Sequence, residues 1–256
     1  MADESGVTLV RDGSVATITM TGPALTTRVK TELVEAIAQV SADSEVRAVV
    51  LTGVRKAFSV GQDLFEHAAT VREDASHAFD TVDQHYNPIV LGLATMPKPV
   101  IASINGLCVG AGLGFALACD VRIASADAKF GTAFTAIGLT CDSGLSVTLA
   151  RAVGAARASE LVFRVKTFSA DEALAWGIVG QLVEFGNLAA ETAALATRFA
   201  NGPTLAYAEA KRAMAAPLEQ ALAAEGAAQA RLGLTEDHRN AVEAFLAKED
   251  PKFAGR

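Results

Sequence analysis

Two short apolar runs, Ala48-Val-Val-Leu51 and Val100-Ile-Ala-Ser-Ile104, constrain the fold more than any other feature of the chain. Neither has the polar alternation of a half-solvated strand, and both are far too short to span a membrane. Each therefore reads as a strand buried on both faces. Val15-Ala-Thr-Ile-Thr-Met20 does alternate and reads as a half-buried strand, while Val29, Leu33, Ile37 and Val40 recur at helical spacing behind it. Strands near 15–20, 48–52, 99–104 and 121–125 with helices between them predict an α/β architecture. Residues 63–95 read as helix with an irregular, polar beginning that holds His67, His77 and His85. Ser169-Ala-Asp-Glu172 has the form of a capping box, opening a helix that carries Trp176 and ends at Gly177. From about residue 187 the strand signal disappears and Ala-rich helical periodicity continues to Lys248, stopping before Pro251. The expected organisation is an α/β core over 1–195 followed by a helical region over 196–256.

A chain of 256 residues, 51% of them hydrophobic, is long enough to bury a substantial core. Its net charge of −7 argues against a nucleic-acid surface, which needs clustered positive charge. Met1-Ala-Asp-Glu4 is acidic and no apolar segment follows, so neither a secretory signal nor a membrane partner is expected. Cys108, Cys119 and Cys141 are odd in number and lack metal-ligand spacing, and the chain has four dispersed histidines. No metal site is expected, and reduced thiols in a cytoplasmic setting are the simplest reading. Cys108 and Cys119 lie in apolar stretches, where cysteine serves as a small buried hydrophobe.

The turn Asn105–Gly114 leads from a buried strand into a short apolar helix and admits three readings. A dinucleotide site would need a third glycine in G-x-G-x-x-G spacing; counted from Gly110 that position is Phe115, and from Gly112 it is Leu117. The second reading is an oxyanion cradle made of free N–H groups at the helix start, which small residues at 110–112 would allow a substrate oxygen to approach. The third is tight packing with no ligand. A second loop, Phe58-Ser-Val-Gly61-Gln62-Asp63-Leu64, also runs into a helix, with Asp63 placed as its N-cap. Two such turns in successive units of one sheet would bring two sets of N–H donors to one edge, as a two-donor oxyanion hole requires.

These loops resemble those of the crotonase (enoyl-CoA hydratase/isomerase) superfamily. So do Met96-Pro-Lys-Pro-Val-Ile101, Phe168-Ser-Ala-Asp-Glu-Ala-Leu-Ala-Trp-Gly-Ile-Val179 and Ala244-Phe-Leu-Ala-Lys248, in order along nearly the whole chain. The resemblance implies a core of repeated ββα units with a C-terminal helical trimerisation region, assembled as homotrimers or dimers of trimers. It implies an acyl-CoA thioester as substrate, its carbonyl oxygen held by the backbone N–H groups of Gln62 and Ala111. It also suggests coenzyme contacts from Arg28, Lys30, Lys98 and Phe253, with Lys252 or Arg256 beside the last. No separate cofactor is expected, because the thioester is itself the electron sink.

The family's hydratases use two glutamates, and both are missing: one position is Gly114, and the other is Phe134, after Phe130-Gly-Thr-Ala. Nothing at those positions can activate water. Ile137-Gly-Leu139-Thr-Cys-Asp142-Ser-Gly144 resembles instead the isomerase branch, which includes the phenylacetate-pathway isomerase of 2-(1,2-epoxy-1,2-dihydrophenyl)acetyl-CoA. There the residue matching Asp142 is the catalytic base. Cys141 stands where Pro is usual and Leu145 where a second Gly is common, changes that bear on the acyl pocket. Locally, Asp142 also reads as an Asx-turn or N-cap residue before helix 145–153. Phe134, Leu139 and Gly114 are expected around the acyl pocket, and the three histidines after the first loop read as solvated. The functional expectation is an enoyl-CoA isomerase, with a 2-enoyl-CoA hydratase and an inactive acyl-CoA-binding protein as alternatives. No Gly-x-Ser-x-Gly elbow supports a serine hydrolase.

Overall fold

The computed structural model describes residues 6–215 and 218–251. The chain opens with strands β1 (Val7–Asp12) and β2 (Val15–Met20), helix α1 (Thr27–Ala42), and strands β3 (Ala48–Thr52) and β4 (Ala57–Ser59). Helices α2 (Leu64–Asp74) and α3 (Asn87–Thr95) follow, then β5 (Val100–Ile104), β6 (Leu107–Val109), α4 (Ala111–Ala118), β7 (Val121–Ser125) and β8 (Lys129–Gly131). The rest comprises α5 (Leu145–Val153), α6 (Ala155–Arg164), β9 (Phe168–Ser169), α7 (Ala170–Ala175), β10 (Gln181–Val183) and α8 (Leu188–Ala200). Three last helices are α9 (Thr204–Ala215), α10 (Leu218–Gly233) and α11 (Glu236–Ala247).

The main sheet has strand order β1-β2-β3-β5-β7-β10. Only β1 and β2 pair antiparallel; the remaining pairs are parallel. Period-two geometry sends Val49 and Leu51 of β3, and Val100, Ala102 and Ile104 of β5, into the larger core with the apolar face of α1. Val50, Ile101 and Ile123 point the other way, into a smaller core closed by Leu188 and Ala196 of α8. Two covered faces account for the uninterrupted apolar runs.

Where the loop patterns led to one sheet, the structure has two. A second, four-stranded sheet has the order β4-β6-β8-β9. In it β4 pairs in parallel with β6, Ala57 opposite Leu107 and Ser59 opposite Cys108. Thus β3-β4-α2 and β5-β6-α4 are successive ββα units, with the first strand of each in the main sheet and the second in the smaller one. Three-residue strands carry too little periodicity to be read from sequence. The expected helix over 63–95 is also divided: a 3₁₀ turn at Ala75–His77 and a π-helical turn at Val82–Tyr86 separate α2 from α3. The capping box at Ser169 and Glu172 forms as expected.

Asn105 joins the two units. Its Nδ2 donates to the carbonyls of Arg55 and Ala57, both at 3.1 Å, and its Oδ1 accepts from Gly53 N–H at 3.3 Å. Asn105 is buried, so removing the amide strands several polar groups at once. Asn105→Ala is expected to cost roughly 2–4 kcal/mol in stability, measured by urea unfolding. A loss below about 0.5 kcal/mol would deny the side chain this joining role.

Candidate active site

The first loop is hung on one residue of the chain ahead of α1. Leu25 N–H donates to Gly61 O at 2.9 Å, and Asp63 N–H donates to Leu25 O at 3.3 Å. In such a bridge the intervening residue turns its own N–H to the opposite side, so Gln62 N–H faces away from Leu25. Asp63 then caps α2, accepting from Phe65 and Glu66 N–H. In the second loop, Ala111 is the first residue of α4, where an N–H has no intrahelical acceptor. Among the described residues, neither Gln62 N–H nor Ala111 N–H donates to a protein acceptor. The loops approach so closely that a Cβ on Gly61, at φ +85°, would lie 3.6 Å from Ala111 N. Two free donors therefore face one small volume, the arrangement that binds an oxygen bearing developing negative charge.

That volume is a narrow cavity of about 90 Å³, with Gln62, Ala111, Tyr86, His67, Phe134, Leu139 and Asp142 in its wall. A larger cavity of about 750 Å³ lies between the far face of the main sheet and α8, beside Val50 and Thr192. The two donor N–H groups and Asp142 belong to the smaller one, which is therefore the candidate site.

Asp142 is 5% exposed. Ser143 Oγ donates to its Oδ1 at 2.8 Å, and Gln229 Nε2 of α10 donates to its Oδ2 at 3.1 Å. Burial pushes its carboxyl up from 3.8 to about 7 against the pull of those two bonds. The local reading of Asp142 as a helix cap does not hold. Gly144 precedes α5, and Glu225 of α10 does the capping. Its carboxylate accepts from Gly144 N–H at 2.7 Å, from Ser146 N–H at 3.0 Å, and from the Ser146 hydroxyl. Asp142 is thereby left facing the cavity.

Phe134 and Leu139 stand in the cavity wall, whereas Gly114 lies behind it. A Cβ at Gly114 would sit 2.5 Å from Ser143 Cβ and 2.7 Å from Ser143 O. The loop that carries Asp142 thus occupies the space a side chain at position 114 would need. Ser143 and Ala133 both hold positive φ, at 55° and 63°, one on each of the two segments that bound the cavity here. Left-handed backbone costs a non-glycine residue on the order of 1 kcal/mol and persists only where the surroundings impose it.

Of the remaining candidates, Arg28 is on the surface and paired with Glu32 at 2.7 Å. Lys30 is turned inward, 2% exposed, with Nζ 3.3 Å from Gln62 Oε1. Lys98 is also buried, donating to the carbonyls of Val40 and Asp43 at the end of α1. Neither ammonium is presented at the surface, where coenzyme phosphates had been expected to meet them. Phe253, Lys252 and Arg256 fall outside the described residues. The expectation that His67 is solvated is overturned. It is 4% exposed, and its Nε2 lies 2.9 Å from His238 Nε2. Because His238 Nδ1 sits 2.8 Å from the Ile137 carbonyl, which can only accept, His238 Nε2 is the acceptor and His67 Nε2–H the donor. Burial pushes His67 down to about 4, so the pair is neutral near pH 7. Cys108 and Cys119 are buried as expected, burial pushing the Cys119 thiol up to about 12.

Sequence reading missed Tyr86, Glu225, Gln229 and His238. Glu225 and Gln229 share a face of α10 four residues apart, but helical spacing names a face and not the loop it meets. No helix among the described residues is long and apolar enough to cross a membrane.

The chain as a whole is similar to known proteins. The family model for enoyl-CoA hydratase/isomerase matches residues 11–256. The chain is 37% identical over 229 residues to the 1,2-epoxyphenylacetyl-CoA isomerase of Escherichia coli, covering 88% of this chain and 87% of that protein. It is 33% identical over 253 residues to a short-chain-enoyl-CoA hydratase of Clostridium acetobutylicum, covering 95% of each. A crystal structure from Mycobacterium abscessus, assigned to the enoyl-CoA hydratase/isomerase class, superposes with a TM-score of 0.79 at 47% identity, covering 98% of this chain and all of that one.

The raised carboxyl of Asp142 carries a stability consequence. Its folded pKa lies above the unfolded value, so its contribution is favourable at low pH and is lost as pH rises from about 4 through about 7. At about 1.4 kcal/mol per pH unit the loss is on the order of 4 kcal/mol. Asp142→Asn is therefore expected to raise Tm at pH 8 and to leave it nearly unchanged at pH 4, read by thermal unfolding at both values. A lower Tm at pH 8 would contradict a carboxylate ionised at a cost.

Proposed function

The chain belongs to the enoyl-CoA hydratase/isomerase family, and from that membership we propose that it shifts a double bond within an acyl-CoA thioester, with Asp142 as the base. One observation carries the reading: among the described residues Asp142 is the one carboxylate lining the cavity, and it faces the volume that the Gln62 and Ala111 N–H groups also face. Asp142 removes a proton from C2 of a 3-enoyl thioester, and the electron pair moves through the carbonyl carbon onto the thioester oxygen. The two N–H donors hold that oxygen, each contributing about 2.7–4 kcal/mol in comparable sites. When the dienolate collapses, the carboxyl returns the proton to C4 and the double bond lies between C2 and C3. A carboxyl near pH 7 suits both halves of this exchange, since it gives up a proton about as readily as it takes one.

Asp142→Asn is expected to lower turnover of 3-enoyl-CoA to 2-enoyl-CoA by about 10²–10⁴-fold, followed by the absorbance of the conjugated product. Unchanged turnover removes Asp142 from the mechanism. Formation of 3-hydroxyacyl-CoA from a 2-enoyl-CoA at a rate above isomerisation replaces the reading with hydration, the reaction named for the Clostridium acetobutylicum relative. The substrate panel should pair straight-chain 3-enoyl thioesters with the ring-epoxide thioester that names the Escherichia coli relative.

Trimeric assembly is part of the same proposal. Leu205, Met214, Leu234 and Phe245 in the last three helices and their connections are large apolar side chains left exposed on the single chain, at 84%, 69%, 56% and 49%. Light scattering is expected to return three or six times the chain mass, and a monomer at micromolar concentration would reject the assembly.

A further inference from the structure

Beneath the first donor loop lies a group that the proton transfer does not use. Lys30, 2% exposed, projects from α1 into the protein, and among the described residues its ammonium finds one side-chain acceptor, Gln62 Oε1, at 3.3 Å. The face of Tyr86 lies 5.6 Å from it. The Tyr86 hydroxyl donates to the same Gln62 Oε1, so a phenol and an ammonium converge on one amide oxygen. Tyr86 stands at the end of the π-helical turn, a distortion that often marks a functional position.

Packing does not account for this arrangement. A buried ammonium with three N–H groups is poorly compensated by one neutral amide and an aromatic face. The carboxylates acting on it, Glu66, Asp63 and Asp142, do so through space, and burial outweighs them, bringing Lys30 down to about 8. Its charge is felt in turn by His67 and His85. A methionine would fill the same path at less cost, as apolar replacements of buried charges often do.

We propose that Lys30 and Tyr86 are positioning residues for the oxyanion hole, gripping the Gln62 side chain so that its backbone N–H is held toward the substrate oxygen and placing a positive charge behind it. The inference rests on the reading of Gln62 and Ala111 as oxyanion donors. Negative charge that develops on the substrate oxygen supplies the compensation the resting protein withholds from Lys30. Such a grip acts on the charged intermediate more than on the neutral thioester, and so affects kcat more than KM.

The test uses acetoacetyl-CoA, a 3-ketoacyl thioester whose enolate shares its charge between the thioester and ketone oxygens, with the full-length protein. The enolate absorbance of the bound thioester is titrated against pH, which needs neither turnover nor Asp142. Lys30→Met is expected to raise the pH of enolate formation by at least one unit, a tenfold loss, while thermostability is unchanged or higher. Lys30→Gln, which keeps a donor toward Gln62 and drops the charge, should fall between. Tyr86→Phe should lose severalfold, since it keeps the ring under Lys30 and removes one of the two bonds to Gln62. With 3-enoyl-CoA, Lys30→Met should lower kcat at least tenfold and move KM less than threefold. Equal enolate titrations in wild type and in folded Lys30→Met or Lys30→Gln overturn the inference. A wild type that stabilises the enolate yet fails to isomerise 3-enoyl-CoA rejects the proposed reaction and leaves this inference standing.

Discussion

The site depends on the parallel pairing of two three-residue strands. Ala57 opposite Leu107 and Ser59 opposite Cys108 bring the ends of β4 and β6 side by side, and each strand leads directly to a donor. Without that pairing, Gln62 N–H and Ala111 N–H would be two orphan groups on separate loops. With it, they point into the same cavity. Asn105 reinforces the pairing from the main sheet, its amide bonded to the chain on both sides of Lys56. The smaller sheet is thus a clamp on the donors, and the larger one is the base that carries the clamp.

The second half of the site comes from far along the chain. Asp142 is free to face the cavity because Glu225 takes over the capping of α5, while Gln229 holds one carboxylate oxygen, both from α10. Burial raises the carboxyl while two hydrogen bonds keep it from rising further. The loop around it is pressed against α4 at Gly114, with Ser143 in a left-handed conformation. A glutamate at position 114 and this placement of the Asp142 loop cannot share the same space. The missing side chain at 114 and the position of the Asp142 loop are therefore linked.

Two polar networks run from the cavity wall into the protein behind it. His67 and His238 form a neutral buried pair that ties α2 to α11, and His238 continues to the Ile137 carbonyl beside the cavity. Lys30 and Tyr86 meet at Gln62. Both networks reach the cavity wall, at His67 in one and at Gln62 and Tyr86 in the other. The helical segment over 196–256, read from sequence as a separate region, includes α10 and α11, which close over the site of their own chain.

Local pattern alone identified the buried strands of the main sheet, the face of α1, the caps at Asp63 and Ser169 and the two glycine-bearing loops. All of these depend on side-chain periodicity or on backbone chemistry within a few residues, which is the range over which sequence acts directly. Motif resemblance added the expectation of Asp142 as base and the absence of the two glutamates. Tertiary structure alone decided the rest: β4 and β6 are too short to carry a period, and Lys30 reads as a coenzyme contact until its helix is docked and buries it. Asp142 reads equally as a cap until Glu225, more than eighty residues away, is seen to occupy that role. Sequence determined which groups were available for the chemistry, and long-range packing, by burying some and pairing others, decided which of them the cavity could use.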